Sequence, residues 1–104
     1  MRIISIARLR EFWEIHRNAK KPLEDWYAIT GCAQWKDFND LGRIFSSADQ
    51  VTVKSGKTVV VFNIGGNKYR LVAAIHYNTQ KVFILEVMTH DEYEMHNKRW
   101  KEKF

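Results

Sequence analysis

Apolar residues recur along the chain with two different periods, and the period changes near residue 51. Leu9, Phe12, Trp13 and His16 fall at i, i+3, i+4 and i+7, the spacing of an amphipathic helix. Before it, Arg2–Ile6 reads as a short strand, with Ser5 a plausible helix cap. Pro22 suits the first turn of a second helix, which presents Leu23, Trp26, Tyr27 and Thr30 and stops at Gly31. A shorter third helix over Asp37–Phe45 would turn Phe38, Leu41 and Phe45 inward. From Val51 the chain becomes β-branched and aromatic. Val51–Val53, Thr58–Ile64, Lys68–His76 and Lys81–Met88 read as strands, and the connectors Lys54–Lys57, Gly65–Asn67 and Tyr77–Gln80 are short enough for antiparallel hairpins. Thr89-His90-Asp91-Glu92 has capping-box spacing, so a last helix is expected from Asp91 to Trp100. The reading is a single α+β domain over residues 1–104, with N-terminal helices packed on a twisted antiparallel sheet and a C-terminal helix.

Pairing across the last hairpin places residues that are distant in sequence. If His76 faces Lys81, then Arg70 faces Val87, Lys68 faces Thr89 and Asn67 lies opposite His90. Lys68 and Arg70 are then about 7 Å apart on one face, while His76 lies about 20 Å from Arg70 at roughly 3.3 Å per residue. His90 opens the last helix at the Arg70 end, and Tyr93 follows three residues later on the same helix face.

Charge sharpens this picture. Lys and Arg number 17 against 12 Asp and Glu, for a formal charge of +5. Residues 50–85 hold no acid, and carry Lys54, Lys57, Lys68, Arg70 and Lys81, so the whole excess lies in the predicted sheet. A localised basic surface steers polyanions and binds phosphates. Hydrophobic content of 45% is that of a globular core. No apolar run approaches the roughly 18 residues of a membrane span, and Met1–Arg10 lacks the apolar stretch of a secretory signal. Cys32 stands alone and cannot form an internal disulfide, which favours the cytoplasm as its compartment.

Lys, Arg, His and Tyr beside a sheet suit chemistry on a phosphodiester. RNA supplies its own nucleophile, the 2′-OH, so a nuclease needs a base for that proton, cations for the phosphorane, and an acid for the departing 5′-oxygen. Arg70 suits the cationic role because a guanidinium matches two phosphate oxygens at once. His90 suits base or acid, since imidazole titrates near neutrality. Tyr93 could donate a proton, orient the 2′-OH or stack on a base. Each also has a plainer reading: Lys68 as a solvated strand-end charge, Arg70 as a salt-bridge partner of Glu86, His90 as a hydrogen-bonded residue at a helix cap, and Tyr93 as packing. His16, on an apolar helix face, reads as a satisfied core histidine. Neither H-x-x-x-H nor C-x-x-C occurs, which argues against a metal site. Gly65-Gly66-Asn67-Lys68 lacks P-loop spacing and fits a hairpin turn.

The run Val61-Phe62-Asn63-Ile64-Gly65-Gly66-Asn67-Lys68-Tyr69-Arg70-Leu71, followed by Met88-Thr89-His90-Asp91-Glu92-Tyr93, resembles the HigB toxins of the RelE-like superfamily. Leu9-Arg10-Glu11-Phe12-Trp13-Glu14, Ala33-Gln34-Trp35-Lys36-Asp37-Phe38 and Phe45-Ser46-Ser47-Ala48-Asp49 extend the resemblance over nearly the whole chain. It implies an mRNA interferase, an endoribonuclease cutting message on the translating ribosome with no metal or cofactor. It also implies a HigA-like helix-turn-helix antitoxin, which neutralises the toxin and represses the shared operon, so that operator DNA is met only through the antitoxin. Carried over by position are Asn63, Gly65, Gly66, Asn67, Lys68, Tyr69, Arg70, Thr89, His90 and Tyr93. On this reading Arg70, His90, Tyr93 and Lys68 are catalytic, and Lys54, Lys57, Lys81 and Asn67 hold RNA or ribosome. Ala74 and Leu85 depart from the pattern, since many relatives carry a basic residue at each position. That departure keeps a second reading open, in which the chain is a non-catalytic ribosome- or RNA-binding module that acts with its antitoxin as a corepressor.

Overall fold

The computed structural model describes residues 1–104, apart from the side chains of residues 96 and 97. The elements in chain order are β1 (Arg2–Ile4), α1 (Ala7–Ile15), α2 (Lys20–Gly31), α3 (Phe38–Ile44), β2 (Asp49–Thr52), β3 (Thr58–Ile64), β4 (Tyr69–His76), β5 (Lys81–Thr89) and α4 (His90–Lys98). Short 3-10 helices at Arg17–Ala19 and Arg99–Lys103 precede α2 and follow α4. The strands form one sheet in the order β1-β5-β4-β3-β2.

The α+β class holds, but the sheet is mixed rather than antiparallel. β1 runs parallel to β5, with Arg2 beside Lys81 and Ile4 beside Phe83. A parallel neighbour needs a crossover connection; here everything from α1 to β4 lies between the two strands, and nothing local in Arg2–Ile4 names so distant a partner. Ser5 is not a helix cap. It turns the chain out of β1 at φ 74°, and α1 begins after Ile6 with no side-chain cap.

Strand alternation gives the sheet two apolar faces. Val60, Phe62, Ile64, Leu71, Ala73, Val82 and Ile84 face the N-terminal helices, which contribute Leu9, Leu23, Trp26 and Leu41. Phe62 is the centre of this layer: its ring meets those of Trp26 and Phe45 edge-on at 5.4 and 5.1 Å. Val53, Val59, Val61, Val72 and Met88 form the second face, covered by Tyr93 and Trp100 from the C-terminal segment. Helical structure thus lies on both sides of the sheet. Tyr77 packs against the first core, and burial raises its phenol above the ordinary value, with Asp37 a lesser cause. None of the described helices is long and apolar enough to cross a membrane.

The β4–β5 register begins as pairing logic requires and then shifts. His76 faces Lys81 and Ala73 faces Ile84, but beyond a bulge at Val72/Ala73 the partners become Val72 with Glu86, Arg70 with Met88 and Tyr69 with Thr89. One extra residue of β5 is accommodated there, as β-bulges do. Arg70 therefore does not face Val87, nor Lys68 Thr89. Instead the His90 N–H donates to the Lys68 carbonyl at 2.9 Å. The shift decides the site, because an unbulged register would set His90 opposite Asn67, on the alternate face from Arg70.

Candidate active site

The site forms where the β3–β4 turn meets the start of α4. Gly65 and Gly66 adopt φ values of 63° and 71°, the left-handed region that glycine enters without steric cost. That geometry lets the turn fold Asn67 back over β4. At α4 the expected capping box is present: the Glu92 N–H donates to Thr89 Oγ1 at 3.2 Å, and the Thr89 N–H donates to Glu92 Oε1 at 3.0 Å. His90 is the first helical residue and is held by this cap. Thr89→Ala is expected to cost about 1 kcal/mol, lowering the melting temperature by about 5 °C in a thermal unfolding experiment.

Arg70 lies between these two elements and is only 6% exposed. Its Nη1 donates to the Tyr69 carbonyl at 3.0 Å, and its Nη2 donates to Asn67 Oδ1 at 2.7 Å and to His90 Nδ1 at 3.1 Å. The plainer reading of Arg70 as an ion-pair partner of Glu86 is not met, since Glu86 takes the Lys103 ammonium at 3.1 Å. Among the described residues no carboxylate reaches Arg70. Its Nε–H and one Nη1–H also have no acceptor there. A buried guanidinium without a counter-charge is costly, and such a site favours an incoming anion. A guanidinium only donates, so His90 Nδ1 presents a lone pair to it.

Tyr93 stands behind the guanidinium. Its ring centroid is 5.5 Å from Arg70 Cζ and 4.9 Å from Lys98 Nζ, and the ring stacks on Trp100 at 5.5 Å. It is 6% exposed, so the ring supports two cations instead of presenting a face to a base. Lys98 and Trp100 were not legible as members of this cluster. Lys98 lies five residues after Tyr93, off its helical face, and reaches the ring where the helix ends with φ 62°.

The other candidate cations are placed apart. Lys68 is exposed in the turn next to Arg70, and Asn67 serves Arg70 directly. Lys54 and Lys57 are exposed on the β2–β3 connection. Lys81 is half-buried opposite His76, at the far end of the sheet. The structure thus brings together Arg70, His90, Tyr93, Asn67 and Lys68, and leaves the three remaining lysines at a distance.

Fold and site define a small α+β protein with a buried guanidinium hydrogen-bonded to an imidazole at one end of its sheet. Residues 19–96 match the HigB toxin family, described as the RelE-like toxic component of a toxin–antitoxin system, and the chain belongs to that family. Over 34 residues it is 56% identical to the mRNA interferase toxin HigB of Escherichia coli (strain K12). The same identity and length relate it to proteins named mRNA interferase HigB from Escherichia coli O157:H7 and Shigella flexneri. In each comparison the matched segment covers 33% of this chain and 33% of the relative.

Proposed function

We propose that the protein is the toxin of a type II toxin–antitoxin pair, with a RelE-like arrangement of its helices and sheet, and that it cleaves mRNA on the translating ribosome without a metal. The observation that carries the reading is Arg70, a buried cation that no carboxylate reaches among the described residues, hydrogen-bonded to His90 Nδ1. The scissile phosphate takes the guanidinium donors, including the Nη2–H now shared with His90. His90 Nδ1 is then left with its lone pair beside the phosphate, where it accepts the 2′-OH proton. The 2′-oxygen bonds to phosphorus, Arg70 stabilises the charge on the equatorial oxygens, and the P–O5′ bond breaks. The departing 5′-oxygen takes a proton from solvent, with the Lys68 ammonium alongside. Tyr93 and Asn67 position Arg70. Lys54, Lys57 and Lys81, far from the scissile phosphate, contact the remaining RNA or the ribosome.

Asn67→Ala is expected to leave the melting temperature close to wild type and to slow message cleavage about tenfold, the weight of a hydrogen bond to a charged group. Transcript decay after induction measures it. The whole reading is tested by inducing the chain alone: messages should shorten and growth should stop. RNA binding with a steep salt dependence but intact messages would instead support the non-catalytic module. The proposed partner is a helix-turn-helix antitoxin encoded beside this chain; co-expression should yield a purified complex and restore growth.

A further inference from the structure

The cleavage site occupies one side of the β3–β4 end of the sheet, and an aromatic cluster occupies the other. His16 joins α1 to the following 3-10 helix, and its backbone is fixed from both sides, with its N–H donating to the Phe12 carbonyl at 2.8 Å and its carbonyl accepting from Ala19 at 2.9 Å. Its ring stacks on Phe12, with centroids 4.4 Å apart and planes inclined by 27°, and lies 6.1 Å from the ring of Tyr69. Tyr69 meets Phe12 edge-on at 5.5 Å. The sequence reading of a satisfied core histidine does not hold. His16 is half-buried, and neither ring nitrogen has a hydrogen-bond partner among the described residues.

Tyr69 links this cluster to the cleavage site. Its ring belongs to the His16 cluster, while its carbonyl accepts the Arg70 guanidinium at 3.0 Å on the opposite face. Between the two lies the exposed tip of the turn, Gly66-Asn67-Lys68, with open space around the Gly66 α-carbon. Gly65 packs beside both Pro22 of α2 and the Tyr69 ring, each 3.5 Å from where its Cβ would stand. Arg17 and Lys20 follow His16 and are exposed. A single strand whose phosphate sits on Arg70 can pass over the low glycine turn, with cations on both sides. An unstacked base of the strand that continues over this turn would then meet a pre-ordered imidazole.

We propose that His16 is a nucleobase subsite flanking the cut, stacking one base and hydrogen-bonding its edge through a free ring nitrogen, as single-stranded RNA is commonly read. The identity of the ligand rests on the endoribonuclease reading above. The test uses the purified full chain as wild type, His16→Ala and His16→Phe, titrated with a short fluorescent single-stranded RNA and melted in parallel. Transcript ends are mapped after induction of each form. His16→Ala should bind RNA about tenfold more weakly, the weight of one stacked base, while His16→Phe stays near wild-type affinity. Both should lose the wild-type base preference at one position beside the cut. His16-dependent binding with uncut messages would sink the nuclease reading and keep the subsite. Equal RNA affinity in His16→Ala and wild type, with unchanged base preference, would overturn the subsite whether or not messages are cut. If His16→Ala melts early, His16→Phe decides alone: retained base preference overturns the hydrogen-bonding role.

Discussion

Arg70→Ala should abolish the growth arrest that follows induction and lower message cleavage by about a hundredfold or more, the range seen when a charge-stabilising donor is removed from a transition state. The variant should still fold. Arg70 makes no ion pair among the described residues, and its removal leaves Asn67 and His90, neither of them fully buried, open to water. Arg70→Lys separates charge from geometry. An ammonium retains the charge but cannot donate to Asn67, His90 and phosphate in one plane, so it should recover only a small part of the activity. Growth curves and transcript lengths, recorded beside a melting curve for each variant, check the prediction. Arrest that persists in Arg70→Ala would remove Arg70 from the chemistry.

Phe62→Ala should be the most damaging core change, and its effect should be on stability. Phe62 is 1% exposed and joins the rings of Trp26 in α2 and Phe45 after α3 to the sheet. Truncation leaves a cavity between layers whose walls cannot both relax, at a cost of about 3–5 kcal/mol. That is a large fraction of the stability of a small domain, and corresponds to a drop of about 15 °C or more in melting temperature. Denaturant unfolding measures it. Lost activity in this variant would follow the unfolded fraction, whereas Arg70→Ala loses activity with the fold intact.

The features legible in the sequence are those set by local chemistry. Period, turn residues and the capping box at Thr89 and Glu92 placed three helices, four strands and the start of α4 close to where they lie. They also brought Lys68, Arg70, His90 and Tyr93 to one end of the sheet. What could not be read depends on residues far apart. The parallel pairing of β1 with β5 is chosen by the finished sheet. The bulge at Val72/Ala73 has no marker in Ile84-Leu85-Glu86, yet it sets His90 on the face of Arg70. The role of Tyr93 depends on Trp100 and Lys98, which reach it only because the helix ends at Lys98. The environment of His16 depends on distant packing in the same way: periodicity reports the helix face it occupies, but not that α1 ends at Ile15 and leaves the ring over Tyr69 at the β3–β4 end of the sheet. Glu86 lay close enough in register to suggest an ion pair with Arg70, and only the path of the C-terminal segment shows that Lys103 takes it.

On the mechanism proposed above, the 2′-OH attacks the phosphate bound by Arg70 with no metal, and the ends left on the message report that chemistry. End-group analysis tests it most directly. Wild-type protein, purified from its antitoxin, is added to translating ribosomes at the magnesium concentration they need, with a chelator selective for transition metals, and the new message ends are characterised. Fragments carrying a 2′,3′-cyclic phosphate or 3′-phosphate on one side and a 5′-hydroxyl on the other, absent with Arg70→Ala, are the predicted result. Fragments with 5′-phosphates, or cleavage that the chelator stops, would contradict it.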